Sequence, residues 1–184
     1  TGRYQGLGVT LELDNITEID GDNYPTSPAL KNAGGFPGKA IIADPDGTEI
    51  NQAYISYQYG ETESKYGRQR INLDNQRFIG GVGFRQNEQT FDAFSIAHNG
   101  AVADTKIYYA HVNNVNRIFG EDDPALSDTD SSTEILNINY SGLDAGDIVF
   151  YSYLLDQKLS DTQLDTYGLR FSGKSHGLGY QAEY

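Results

Sequence analysis

The chain has 184 residues, with 26 Asp and Glu against 13 Lys and Arg and a formal net charge of −13. That acidity, without a basic stripe, argues against a nucleic-acid partner. The absence of Cys removes disulfide frameworks and thiolate metal sites, and no apolar run approaches the roughly 18 to 20 residues of a membrane-spanning helix. The chain starts at Thr1 and contains no Met, so it is expected to be a mature or excised piece from which any signal peptide has been removed.

Period-2 alternation, the mark of a strand with two unlike faces, recurs along the whole length. In residues 7–13, Leu7, Val9, Leu11 and Leu13 share one parity and Gly8, Thr10 and Glu12 the other. Residues 52–59 set Ala53, Ile55, Tyr57 and Tyr59 against Tyr54, Ser56 and Gln58. Segments 62–71 and 90–98 are strand-like with a weaker pattern. Residues 106–113 place Tyr108, Ala110 and Val112 opposite Tyr109, His111 and Asn113. Next, Leu136, Ile138 and Tyr140 alternate with Asn137 and Asn139, and Val149, Tyr151, Tyr153 and Leu155 share one face. Tyr167, Leu169 and Phe171 then oppose Thr166, Gly168 and Arg170, and Leu178, Tyr180, Ala182 and Tyr184 oppose Gly179, Gln181 and Glu183. Nothing repeats at helical spacing. The pattern predicts about nine strands of about nine to eleven residues, the length at which a tilted strand crosses a bilayer.

The connections alternate in length: long at 14–49, short at 60–61, long at 72–89, short at 99–103, long at 115–132, short at 142–146, medium at 156–162 and short at 173–175. In an up-and-down sheet successive connections fall at opposite ends, so long loops gather on one side and tight turns on the other. Outer-membrane barrels are built this way, whereas a Greek-key sandwich has no reason to sort its loops. The expected fold is all-β, an antiparallel up-and-down transmembrane β-barrel, one domain over residues 1–184. Apolar parities are expected on lipid, and Thr10, Glu12, Gln52, Ser56, Gln58, Asn113, Asn137, Asn139, Arg170, Gln181 and Glu183 in the lumen. The strand tyrosines, Tyr54, Tyr57, Tyr59, Tyr108, Tyr109, Tyr140, Tyr151, Tyr153, Tyr167, Tyr180 and Tyr184, suit an interfacial girdle.

Three stretches, IADPDGTEINQAYISYQ (42–58), GRQRINLDNQRFIGGVGFRQNEQTFDAF (67–94) and VNNVNRIFGEDDP (112–124), resemble segments of the alginate-export-type outer-membrane porins of Gram-negative bacteria. The resemblance implies an outer-membrane location, a barrel of about 18 strands with an aqueous lumen, and passage of polar or anionic solutes, including acidic oligosaccharides such as alginate. Its partners would then be membrane lipid, lipopolysaccharide and those solutes. Members of that family are about twice this length, so the chain is expected to be a piece of a larger barrel whose first strand lacks its preceding partner.

Four of the seven arginines, Arg68, Arg70, Arg77 and Arg85, lie within residues 66–89, among Asn, Gln and Gly. The segment is too polar to lie on lipid, so it is expected to fold into the lumen and narrow it. With Arg117 these arginines would form a positive ladder that sets anion preference, because a guanidinium stays charged and binds carboxylates bidentately. Arg170 and Glu183 would pair across neighbouring strands. Arg68 and Arg70 share parity with outward-looking Tyr66, which calls for a bulge at Gly67 or an exit from the hydrocarbon there. Pairing of the arginines with Asp74, Glu88 and Asp92 would instead lock the segment in place.

Residues 120–134 offer oxygen ligands but lack the spacing of a Ca²⁺ loop and read as a solvated external loop. His98, His111 and His176 have no ligand spacing, and no nucleophile–base pair stands out, so no metal, cofactor or catalysis is expected. The alternative reading is a soluble β-rich carbohydrate-binding or adhesin domain with tyrosines as sugar platforms.

Overall fold

The structure is a computed structural model that describes residues 1–17, 19, 24–28, 36, 38–121, 123, 126–158 and 162–184. The alternating segments become ten strands: β1 (Gly2–Tyr4), β2 (Leu7–Ile16), β3 (Gly47–Tyr59), β4 (Thr62–Gln69), β5 (Thr90–Asn99), β6 (Thr105–Asn116), β7 (Asp128–Leu143), β8 (Gly146–Gln157), β9 (Thr162–Ser175) and β10 (Leu178–Glu183). They form one sheet in which each strand pairs with its neighbours in sequence, β1 to β10 in order, and every pairing is antiparallel. The tight connections, 5–6, 60–61, 100–104, 144–145 and 176–177, lie at one end, and the longer ones, 17–46, 70–89, 117–127 and 158–161, at the other. This is the expected up-and-down architecture of a β-barrel segment.

Two details differ from expectation. Residues 1–13 are a hairpin rather than one strand without a partner: Gln5 and Gly6 take φ of 48° and 85°, and the chain reverses so that Gly2 pairs with Val9. A three-residue strand is too short to show alternation, but a turn with two positive φ values matches the twist of its flanking strands. Much of the 115–132 connection is also strand, because β6 runs on to Asn116 and β7 begins at Asp128. Residues 128–134 of the expected external loop therefore lie in the ladder.

On β2 the two faces are inverted relative to a water-soluble sheet. Leu7, Val9, Leu11 and Leu13 are 52–61% exposed, whereas Thr10 is 8% exposed. The ladder carries this polarity onward: Val9 pairs with Ile55, Ile55 with Tyr66, and Tyr66 with Phe94. We call this the outer face. It continues through Tyr109, Leu136, Phe150, Tyr167 and Leu169.

The inner face is covered by the 70–89 connection, and here the sequence reading needs correction. Ala110, Val112, Val149, Tyr151 and Tyr153, assigned to lipid from their parity, are buried on the inner face together with Ile71 and Ile79 of the connection. Tyr108 packs against the same cluster. Tyr54 pairs with Thr10 and shares its inward direction, so the expected girdle loses Tyr54, Tyr108, Tyr151 and Tyr153. The physical reason is that β6 and β8 are apolar on both parities. One faces outward, as Ile148 and Phe150 do, and the other meets the connection. Burying Ile71 and Ile79 there contributes about 1.5–3 kcal/mol each.

Candidate channel constriction

The 70–89 connection crosses the inner face and is fastened at both ends. At the β7–β9 end, Asp74 adopts a left-handed φ of 56° and receives three strands' side chains. Arg170 Nη2 donates to its Oδ1 at 2.6 Å, while Asn137 Nδ2 and the Tyr153 hydroxyl donate to Oδ2 at 2.8 and 3.3 Å. Arg170 and Asp74 are almost buried, at 11% and 12% side-chain exposure. Beside this anchor the Phe78 ring lies 5.6 Å from Tyr151, which stacks on Tyr153 at 5.0 Å. Tyr151 in turn lies over Gly168, where an added Cβ would fall 2.1 Å from the ring carbon Cζ. A glycine at this position on β9 is what admits the aromatic cover.

At the β2 end, Arg70 is clamped between two carboxylates. Its Nη1 donates to Glu12 Oε2 at 3.0 Å and its Nε to Glu88 Oε2 at 2.5 Å, with a further bond from Nη2 to each. The bonds to Glu88, then those to Glu12, push the guanidinium pKa further up, so Arg70 is charged at every accessible pH. Glu12 is also held by Asn51 and Gln52, at 3.0 and 2.6 Å. Both reach it because the β2–β3 register shifts after Glu12, leaving Asn51 as an extra residue.

The other expected site residues are dispersed. Arg68 keeps the parity of Tyr66, because both ladders of β4 run through Gly67 without a register shift. The anticipated bulge is therefore absent. Gly67 takes φ 123° instead, a conformation in which a Cβ would lie 2.3 Å from Ala53 O. Arg68 donates to Asp92 Oδ1 at 3.0 Å and to Ile50 O at 3.1 Å, at the long-loop end of the sheet. Arg85 meets Asp44 at 3.4 Å. Arg77 and Arg117 make no ion pair among the described residues. Each instead lies over an aromatic ring, Phe78 at 5.5 Å and Phe119 at 5.3 Å.

Arg170 and Glu183 are direct register partners, yet their expected pair does not form. Arg170 turns to Asp74, and Glu183 accepts the Tyr151 hydroxyl at 2.9 Å. Asn113 is also misassigned. It is the extra residue where the register shifts on both sides of β6, and it is exposed, with Oδ1 3.1 Å from His111 Nε2. His111 belongs to the outer-face set with Tyr109 and Glu134.

Four of these arginines thus end on carboxylates. The residues that organise the site, Asp74, Glu12 and the Tyr151–Tyr153 stack, were not singled out from sequence as a set. A signal was available: Ile71, Leu73, Phe78 and Ile79 are apolar residues in a largely polar connection, and residues 148–155 are apolar on both parities. Those two excesses match. Glu12, Asp14 and Glu88 bring carboxylate oxygens within 4.8 Å of one another, but the Arg70 guanidinium already engages two of the three.

The outer face also bears on the soluble alternative. A free carbohydrate-binding domain would hold four consecutive β2 outward positions, Leu7 to Leu13, in water, a contiguous apolar stripe that continues onto β3 and β4. Residues 21–184 match the family model described as Alginate export. No curated protein and no solved structure matches the chain. An apolar outer face, sorted loops and a family match over nearly the whole length lead to one assignment: the chain belongs to the alginate export family of outer-membrane β-barrel transport proteins of Gram-negative bacteria.

Proposed function

We propose that this chain lines a channel for passive diffusion of polar, acidic solutes, acidic oligosaccharides among them, with the 70–89 connection as its constriction. The observation that supports this reading best is the connection itself. It lies across the inner face of the sheet, anchored by Asp74–Arg170 at one end and Arg70–Glu12–Glu88 at the other. A loop held at both ends narrows a lumen without sealing it. The paired arginines fasten the constriction. Anion preference rests on Arg77 and Arg117, whose charge no carboxylate neutralises among the described residues.

The test is conductance in a planar bilayer. Replacing Arg77 and Arg117 by Ala should lower the anion-to-cation permeability ratio, while single-channel conductance changes little. Arg68→Ala with Arg70→Ala should instead raise conductance as the connection loosens. If the Arg77/Arg117 variant keeps the original ratio, the selectivity reading fails. If the unaltered protein forms no conducting pore, the channel reading fails.

A further inference from the structure

The tip of the connection, residues 82–86, combines two unfavourable features in a segment that is otherwise well fastened. Val82 adopts a φ of 53°. For a β-branched side chain this left-handed conformation is a true outlier, and such strain collects where function demands a particular shape. The neighbours Gly81 and Gly83 would adopt it freely, yet the valine carries it. Two residues on, the Phe84 ring is 90% exposed. It is a large apolar surface left bare on a segment whose other aromatic, Phe78, has the Tyr151 and Tyr153 rings as partners.

The tip does not dangle. Val82 O accepts the Arg85 amide at 3.1 Å, closing a turn around Phe84. The Gln86 amide donates to Asp44 Oδ1 at 2.8 Å, and Arg85 reaches Asp44 Oδ2 at 3.4 Å. The Arg85 guanidinium also lies 5.5 Å from the centre of the Phe84 ring. Gln86 and Asp44 further line a cavity of about 340 Å³ at the long-loop end, together with Asn15, Thr17 and Tyr24. The tip therefore presents an exposed ring beside a guanidinium and next to a cavity walled by amides, hydroxyls, one carboxylate and the side chain of Ile16.

Those are the groups that recognise a sugar. The axial C–H face of a pyranose packs on an aromatic ring, its hydroxyls exchange hydrogen bonds with amide and carboxylate groups, and a uronate carboxylate adds attraction to a guanidinium. We propose that the Val82–Gln86 tip is a saccharide-binding site at the channel mouth. In it Phe84 stacks on a sugar ring, and the adjoining cavity takes that ring's hydroxyls. This rests on the channel reading for its biological meaning, since the site would capture the oligosaccharide that the pore passes, but binding at the tip is measurable without any current.

The chain contains no tryptophan, so Phe84→Trp places a single tryptophan in the site, which can be excited selectively over the tyrosines. Titrating that variant in detergent with a uronate hexasaccharide should shift its emission saturably. A neutral hexasaccharide should do so more weakly, and sodium acetate at equal ionic strength should not. In bilayers, Phe84→Ala should shorten oligosaccharide blockades about tenfold, the loss expected for one stacked ring, with salt conductance unchanged. Emission that ignores both saccharides, or blockades of unaltered length in Phe84→Ala, would overturn the site while leaving the channel intact. A protein that binds saccharide by fluorescence but conducts nothing would instead overturn the channel and keep the site.

Discussion

Strands β2 and β8 obey the same alternation rule and bury opposite kinds of residue. On β2 the apolar parity, Val9 and Leu11, looks outward, and the inward parity is Gly8, Thr10 and Glu12. On β8 the parity with valine and tyrosines, Val149, Tyr151 and Tyr153, is the inward one, and it is almost fully buried. The difference comes from what covers the inner face. Over β2 the Arg70 guanidinium of the connection meets Glu12. Over β8 lies the apolar part of the 70–89 connection. Alternation reports that two faces differ, but which apolar parity is turned inside is decided by what packs against the inner face.

The sharpest way to break the β8 side is to remove the carboxylate that ties the connection to it. Asp74→Ala leaves Arg170 mostly buried without a partner and strips the acceptor from Asn137 and Tyr153. It should cost about 3–5 kcal/mol, read as a lowered unfolding midpoint in detergent and as new protease cleavage within residues 70–89. An unshifted midpoint would mean that Asp74 does not hold the connection. Ile79→Ala tests the apolar half of the same anchor and should cost about 2–5 kcal/mol. Because it loosens the connection without touching a charge, the proposed channel should gain conductance while its ion preference stays the same.

On β2 the comparison sharpens into a paired substitution. Leu11→Lys puts a charge on lipid and should cost about 2–4 kcal/mol near the midplane. Asp14→Lys, on the inward parity of the same strand, only partly buried and beside Glu12 and Glu88, should cost much less. Equal penalties, measured by folding into vesicles against urea, would contradict the face assignment. The smallest effect is expected from Glu88→Gln. Arg70 keeps Glu12, both groups are about a third exposed, and solvent screening limits the loss to roughly 1 kcal/mol. That loss should shrink further at high salt.

Much of the architecture was legible because β-barrel strands carry a period of two and their loops sort by length. Both signals are local. The short β1 escaped because three residues cannot display a period. The inward tyrosines of β8 escaped because both of its parities are apolar. At the site, the arginine cluster was visible as composition, but its partners were not. Arg70 reaches Glu12 over 58 positions and Arg170 reaches Asp74 over 96. Arg170 and Glu183 do stand opposite each other as register predicts, yet a carboxylate delivered by a distant loop took the guanidinium. Within the expected positive ladder, Arg68, Arg70 and Arg85 are taken by separate ion pairs for the same reason, while Arg77 and Arg117 lie over aromatic rings.

By itself, then, the sequence determined the strand order, the sorting of long and short connections and the existence of two unlike faces, because each follows from side-chain alternation and turn chemistry within a few residues. The tertiary structure alone decided which apolar side chains turn inward beneath the 70–89 connection and which carboxylate each arginine meets. Those outcomes depend on surfaces brought together from far apart in the chain, where burial and charge pairing select among partners that local pattern leaves equivalent.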